Sequence, residues 1–370
     1  MNTNKVSFNI IISIIILPFV LNWFGYHDFL SSPLSIAITS VLLTMCLVLS
    51  LYKGMNMRDL IVTGVLAIML WITAIINHSL GTVLTCYNIF LLSFLFNNLQ
   101  FEKKQLNIIH LLIVILLGIF ILTLDFKPNY ATYNVFQRNG EEININSFGI
   151  LILAFYYHFL ILLNSIFKKG IKHFLFLCIT PIAIYLIEIS GCRSAYLALI
   201  VFLILYLSKN FVVSQYKKIL FIAVVFAIIF PFVYLQIADK LEGINFGGKS
   251  LLSRQVVWQS TIELIKEYPL LGSGTIHAMK MSLSNLYTSS AHNVFLGLWK
   301  TVGIIPMILF AFRLNKGKNM NAITKSNIIK KKMFLSCIVL CIFETLLNDS
   351  NTYLFFMTLL LTEKEEEPLH

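Results

Sequence analysis

The 370-residue sequence predicts an all-α, polytopic integral membrane protein, and three observations carry that prediction. The chain is 58% hydrophobic and only 12% charged, whereas soluble domains carry roughly 25% charged residues. Apolar runs of roughly 17–25 residues recur from end to end, each long enough to cross a hydrocarbon core of about 30 Å. The alternating ten-residue segments of a membrane β-barrel do not appear. The 31 phenylalanines suit lipid-facing surface.

Taken in order, the runs predict twelve helices, at 7–24, 33–52, 60–77, 79–97, 107–125, 147–167, 172–189, 192–208, 218–237, 291–312, 332–348 and 350–362. The first has no small-residue cleavage site and reads as a retained helix, not a removed signal peptide. The last is short enough to be re-entrant. No internal repeat interrupts the series, so the chain reads as one transmembrane domain over 1–370. The acidic tail Glu363-Lys364-Glu365-Glu366-Glu367 reads as solvated.

Charge placement orients the helices. The net charge of +11 is spread over loops instead of clustered on a soluble domain, which argues against a nucleic-acid partner. With the N-terminus in the cytoplasm, the loops on that side collect Lys53, Arg58, Lys103, Lys104, Lys168, Lys169, Lys172, Lys209, Lys217, Lys218, Arg313, Lys316, Lys318, Lys325 and Lys330 to Lys332, as the positive-inside rule requires. Both termini are then cytoplasmic and the long polar interval 238–290 is an outer-face loop. Arg138, Arg193 and Arg254 fall on the outer side, where topology does not explain them. Of the six cysteines, only Cys192 lies near the end of an apolar run, and no Cys/His ligand spacing supports a disulfide framework or a metal site.

The outer loop has its own pattern. Residues 250–268 carry a broad apolar stripe through Leu251, Leu252, Val256, Val257, Ile262, Leu264 and Ile265, which predicts a helix lying on the membrane surface with Trp258 anchored in the interface. Pro269 stops it. Gly272-Ser273-Gly274 then permits a tight turn and close approach of backbone to another group. A second short helix is expected over 276–287.

Several residues in this setting have chemistry to offer. Arg193, in Ser190-Gly191-Cys192-Arg193-Ser194-Ala195, falls in the first turn of a helix beside backbone N–H groups, where a bound anion would justify a cation; the plain alternative is an arginine snorkelling to the headgroups. Arg254 is a cation on the surface helix. His292, at the mouth of the tenth helix, is suited to accept a proton near neutral pH. Arg138, in a run that continues through Glu141, Glu142, Asn144 and Asn146, offers a cation, carboxylates and amides that suit sugar binding, and Asn293 joins them as a candidate. Lys300 and Glu344 fall at similar depths within helices and are expected to pair, because an unpaired charge inside a membrane is costly. His110 and His277 read as structural.

In sequence order, Ser190-Gly191-Cys192-Arg193-Ser194-Ala195, Arg254, Tyr268-Pro269-Leu270-Leu271-Gly272-Ser273-Gly274, and His292-Asn293 followed by Leu296 and Gly303 resemble the O-antigen ligase/polymerase superfamily. Cys192 stands where that family often has serine, and the glycine-rich turn is abbreviated. The resemblance implies a GT-C-like fold and a metal-independent, cofactor-free glycosyltransferase at the outer face of a bacterial inner membrane. It implies an undecaprenyl-pyrophosphate-linked oligosaccharide and membrane lipid as partners, with a chain-length regulator protein as a candidate one. By the same resemblance, Arg193 and Arg254 would hold the donor pyrophosphate and His292 would deprotonate the acceptor hydroxyl, with inversion at the anomeric carbon. The leading expectation is a polymerase, whose acceptor is a lipid-linked repeat unit. The alternatives are a ligase, whose acceptor is lipid A-core, and, from another class, a polysaccharide flippase, which would need charged or broken helices along a mid-membrane pathway.

Overall fold

The computed structural model describes residues 3–23, 33–52, 57–127, 135–138, 141–143, 145–208, 215–237, 245–246, 249–250, 252–274, 291–315, 325–344 and 350–363. These are nearly all helical: α1 (Thr3–Trp23), α2 (Pro33–Tyr52), α3 (Met57–Asn77), α4 (Leu80–Asn98), α5 (Lys103–Leu122), α6 (Ile145–Ile166), α7 (Lys169–Ser190), α8 (Arg193–Leu207), α9 (Tyr216–Ile237), α10 (Leu252–Glu267), α11 (Val294–Val302), α12 (Ile304–Asn315), α13 (Lys325–Phe343) and α14 (Ser350–Met357). Four helices among the described residues, within α5, α6, α7 and α9, are long and apolar enough to cross a membrane by length and composition. The chain falls into two compact units, one made of Met1–Leu95, Lys217–Gly317 and Leu340–Tyr353, the other of Phe96–Tyr216, Lys318–Val339 and Leu354–His370.

In the first unit α10 departs from expectation. Part of its apolar stripe is packed against protein, while Val256 is exposed. Val257, Trp258 and Ile265 are buried with Tyr234 of α9, Ala291 and Leu296. Trp258 is 1% exposed and meets the Phe230 and Tyr234 rings edge-on, at 5.8 and 5.1 Å between centroids. It is therefore a core residue and not an interfacial anchor. The reason is pattern: buried Val257 and Trp258, Thr261, and Leu264 and Ile265 recur every three to four residues and face other helices.

The predicted tenth helix is two helices, α11 and α12, broken at Gly303, which takes φ +90°. A Cβ at Gly303 would lie 1.8 Å from the Leu270 carbonyl oxygen, so no other residue fits. The predicted short helix at 276–287 and His277 lie outside the described residues.

In the second unit α5, α6, α7 and α8 pack as neighbours in the order α5–α6–α7, with α8 against both α6 and α7. Short strands accompany the helices. β1 (Gln100–Phe101) pairs in parallel with β7 (Thr362–Glu363), while β2 (Asp125–Lys127), β3 (Val135–Arg138) and β4 (Glu141–Ile143) form an antiparallel meander; β5 (Asn245–Phe246) and β6 (Lys249–Ser250) pair in the first unit. Arg138 faces Glu141 across β3 and β4. The last helical stretch, α14 and a 3-10 turn at Thr358–Leu360, is buried over 354–361. Two lysines cap helix ends here: Lys330 Nζ donates to the Leu361 carbonyl at 3.1 Å, and Lys332 Nζ to that of Ser208 at 2.5 Å.

Candidate functional site

The site is built on the break between α11 and α12. The turn that follows α10, Tyr268 to Gly274, is laid against that break, backbone on backbone. Ser273 N–H donates to the Lys300 carbonyl at 2.7 Å, Gly274 N–H to that of Thr301 at 3.0 Å, and Ile304 N–H returns a bond to the Pro269 carbonyl at 3.1 Å. The Trp299 indole donates to the same Pro269 oxygen, at 3.0 Å. From α3, Thr73 Oγ1 donates to the Leu271 carbonyl at 3.0 Å. Gly272 and Gly274 take φ +71° and +72°, and a Cβ on Gly272 would lie 2.5 Å from the Thr301 carbonyl. The glycine-rich turn thus satisfies carbonyls that a continuous helix would have used internally. The close approach expected of Gly272-Ser273-Gly274 is what the structure shows.

At the other end of α11, two adjacent residues divide the work. Asn293 is fully buried. Its side-chain oxygen accepts from Leu296 N–H at 2.9 Å as the N-cap of α11, and its amide donates to the carbonyls of Ala227 at 2.9 Å and Ile342 at 3.3 Å. Its polar groups are committed to the protein, tying α9, α11 and the end of α13 together, so a positioning task replaces the sugar contact expected of it. His292, immediately before, is held at φ +42°. That region is uncommon for any residue but glycine and costs on the order of 1–3 kcal/mol. The packed Asn293 on one side of it makes the conformation tenable.

Glu344 completes the arrangement. It lies just beyond the end of α13, its N–H donating to the Leu340 carbonyl at 2.8 Å. Its Oε2 is 3.5 Å from His292 Nδ1 and its Oε1 is 3.2 Å from Arg254 Nη2. Arg254 also donates through Nη1 to the Phe343 carbonyl and lies over the Phe343 ring, 5.5 Å from its centroid. The Glu344 side chain is 8% exposed, against 25% for Arg254 and 28% for His292. His292 Nδ1 is itself buried, so the accessible part of the imidazole is the rest of the ring. The buried carboxylate faces the two basic groups, and both basic groups keep an open side. α13 ends at Phe343, five residues earlier than predicted, so Glu344 is a residue of a helix end and not of a helix interior, placed beside Arg254 and His292. Lys300 is buried in α11, where its carbonyl accepts from Ser273.

The remaining candidates belong to the second unit. Arg193 is the first residue of α8, half-buried, after a turn in which Gly191 caps α7 at φ 65° and Cys192 N–H donates to Ser190 Oγ at 3.2 Å. That turn rests on Gly149 of α6, where a Cβ would lie 2.3 Å from Cys192 Cβ. Arg138 ends β3. Asn146 is half-buried in the first turn of α6, and Asn144 lies outside the described residues. Sequence reasoning missed the role of Glu344, although its signal, a carboxylate at the end of an apolar run, was visible.

A helical membrane protein with a basic and acidic cluster at a strained, half-open histidine is the class these observations define. Residues 174–311 match the family model described as O-antigen ligase, a span that contains Arg193, Arg254, His292 and the glycine-rich turn. Over that span the chain is similar to the O-antigen ligase/polymerase superfamily, and the flippase alternative finds no support. No curated protein and no solved structure matches the chain.

Proposed function

We propose that the protein is a surface-polysaccharide polymerase of the bacterial inner membrane. It transfers a glycan from undecaprenyl pyrophosphate to a sugar hydroxyl of a lipid-linked repeat unit, at the outer face. The observation that carries this reading is the contact of His292 with Glu344, beside Arg254. Glu344 Oε2 lies 3.5 Å from Nδ1, a charge contact on that side of the ring, and Nε2 is the nitrogen assigned to take the proton of the acceptor hydroxyl. The acceptor oxygen then bonds to the anomeric carbon as the carbon–oxygen bond to pyrophosphate breaks, with inversion. The departing pyrophosphate gains negative charge, which a fixed guanidinium stabilises without proton transfer. Arg254, fixed by Glu344 and Phe343, is suited to that task. Arg193 enters the reading as a second donor-binding cation through the family resemblance, and Arg138, Asn144 and Asn146 as sugar contacts.

The form of the Ser190–Ala195 turn, which resembles polymerase members, favours polymerase over ligase. The test is to incubate purified protein with undecaprenyl-pyrophosphate-linked repeat units alone and resolve the products. A ladder of multiples of the repeat is expected. No elongation, with transfer appearing only once lipid A-core is supplied, would identify a ligase instead.

A further inference from the structure

Glu344 meets its two basic neighbours through different oxygens. Oε1 lies 3.2 Å from Arg254 Nη2, and Oε2 lies 3.5 Å from His292 Nδ1. On the roles proposed above, one carboxylate therefore stands between the group that faces the leaving pyrophosphate and the group that takes the acceptor's proton. The carboxylate side chain is 8% exposed, against 25% for Arg254 and 28% for His292. A substrate thus reaches the two basic groups more readily than the carboxylate, and charges this close with little water around them act on one another strongly. Arg254 also has a second hold: Nη1 donates to the Phe343 carbonyl and the guanidinium lies over the Phe343 ring. The contact at Nη2 is the exchangeable one, and a phosphate oxygen suits it as a carboxylate oxygen does.

An anion that takes the place of Oε1 at Nη2 turns the charge of Glu344 towards His292, where it favours a protonated ring. By linkage the converse holds: a proton on His292 engages Glu344 and opens Nη2 to the anion. The transfer step makes both charges at once. The acceptor's proton passes to His292 as its oxygen bonds to the anomeric carbon, and the pyrophosphate leaves with the electron pair of the broken carbon–oxygen bond. Imidazolium and pyrophosphate then sit on the two sides of Glu344. When the pyrophosphate departs, Glu344 returns to Arg254 and His292 gives its proton to water. Other groups in this setting are Tyr234 of α9, within electrostatic reach of Arg254, and Lys300 of α11. Asn293, beside His292, is neutral.

We infer that Glu344 couples the two halves of the site, so that an anion at Arg254 and a proton on His292 strengthen each other and release of the pyrophosphate resets the base. The inference rests on the roles proposed for Arg254 and His292. The test is binding of undecaprenyl pyrophosphate to the purified full-length protein in detergent, by calorimetry at about pH 6 and about pH 8, the range over which a histidine changes charge. Binding that takes up a proton tightens as pH falls, here by about fivefold, the low end of couplings between sites. The probe's own phosphate gains a proton over the same range and loses charge, which acts in the opposite direction. His292→Gln and Glu344→Gln are each expected to lose the gain. Near the higher pH, Glu344→Gln is also expected to bind more tightly than the wild type, because no carboxylate competes for Arg254, although its transfer is slower. A merely structural Glu344 would weaken binding and transfer together. Wild-type affinity that does not rise as pH falls would overturn the inference. So would a gain that persists in His292→Gln, which assigns it to another group such as Lys300, or weaker binding by Glu344→Gln. Absence of binding would overturn the role of Arg254 as well, whereas pH-independent binding by protein that elongates chains would overturn the coupling alone. If Glu344→Gln does not fold, the wild type and His292→Gln still decide it.

Discussion

Two histidine-bearing regions show how differently the same side chain can be held. In the second unit, His110 and His158 bring their Nδ1 atoms to 2.8 Å. His158 Nε2 meets the Phe355 carbonyl at 3.0 Å, and a carbonyl only accepts, so His158 carries its proton on Nε2. Its Nδ1 is then the acceptor and His110 Nδ1 the donor. Both rings are fully enclosed, and the pair ties α5 and α6 to the C-terminal segment. In the first unit, His292 sits in a strained backbone conformation, with Nδ1 turned to a carboxylate and more than a quarter of its side chain exposed. The first arrangement fixes protons in place. The second leaves one nitrogen able to exchange a proton with something that arrives. Histidine alone in an apolar sequence does not distinguish them; the charge it faces and the access it keeps do.

The largest effect that would break this contrast acts on the frame and not on either histidine. Gly303→Ala puts a Cβ into the Leu270 carbonyl and is expected to cost more than about 4 kcal/mol, read as loss of monodisperse protein after detergent extraction. Glu344→Gln keeps the shape and removes the charge that His292 faces. Transfer is expected to fall about hundredfold, with Glu344→Asp recovering part of it and the pH–rate profile shifted, which a purely structural role would not produce. Arg254→Ala is expected to raise the apparent KM for the lipid-linked donor about tenfold, the scale of one charge-assisted hydrogen bond, as seen in donor titrations. His158→Asn should have the smallest effect and the opposite kind: a loss of about 1 kcal/mol of stability, in thermal unfolding, with the turnover of folded molecules unchanged.

The fold was largely legible from the sequence, and the site only partly. Apolar runs located most of the described helices to within a few residues, the 332–348 and 291–312 helices excepted, because an apolar run of spanning length is a strong signal. Arg138 reads from its polar neighbours as part of a sugar-binding loop, while the structure places it at the end of a strand paired with β4. The break at Gly303 was hidden because residues on both sides are apolar, although Gly303 followed by Pro306 is the punctuation of one helix ending and another beginning. Trp258 and the stripe of α10 read as interfacial since periodicity reports an apolar face and not what covers it. In the sequence Glu344 reads as a charge that needs a partner. Its partners were not legible, because a shift of five residues in a helix end moved it from the interior to the side of His292 and Arg254. Asn293 showed its position but not that its amide spans three segments, which no local pattern encodes.

The account rests on His292 as the group that takes the acceptor's proton, and purified His292→Ala protein tests that most directly. Elongation of the lipid-linked repeat should fall by at least about 10²-fold, while the protein elutes as the wild type does and binds the donor with similar affinity. Chain growth near the wild-type rate by the same preparation would contradict it.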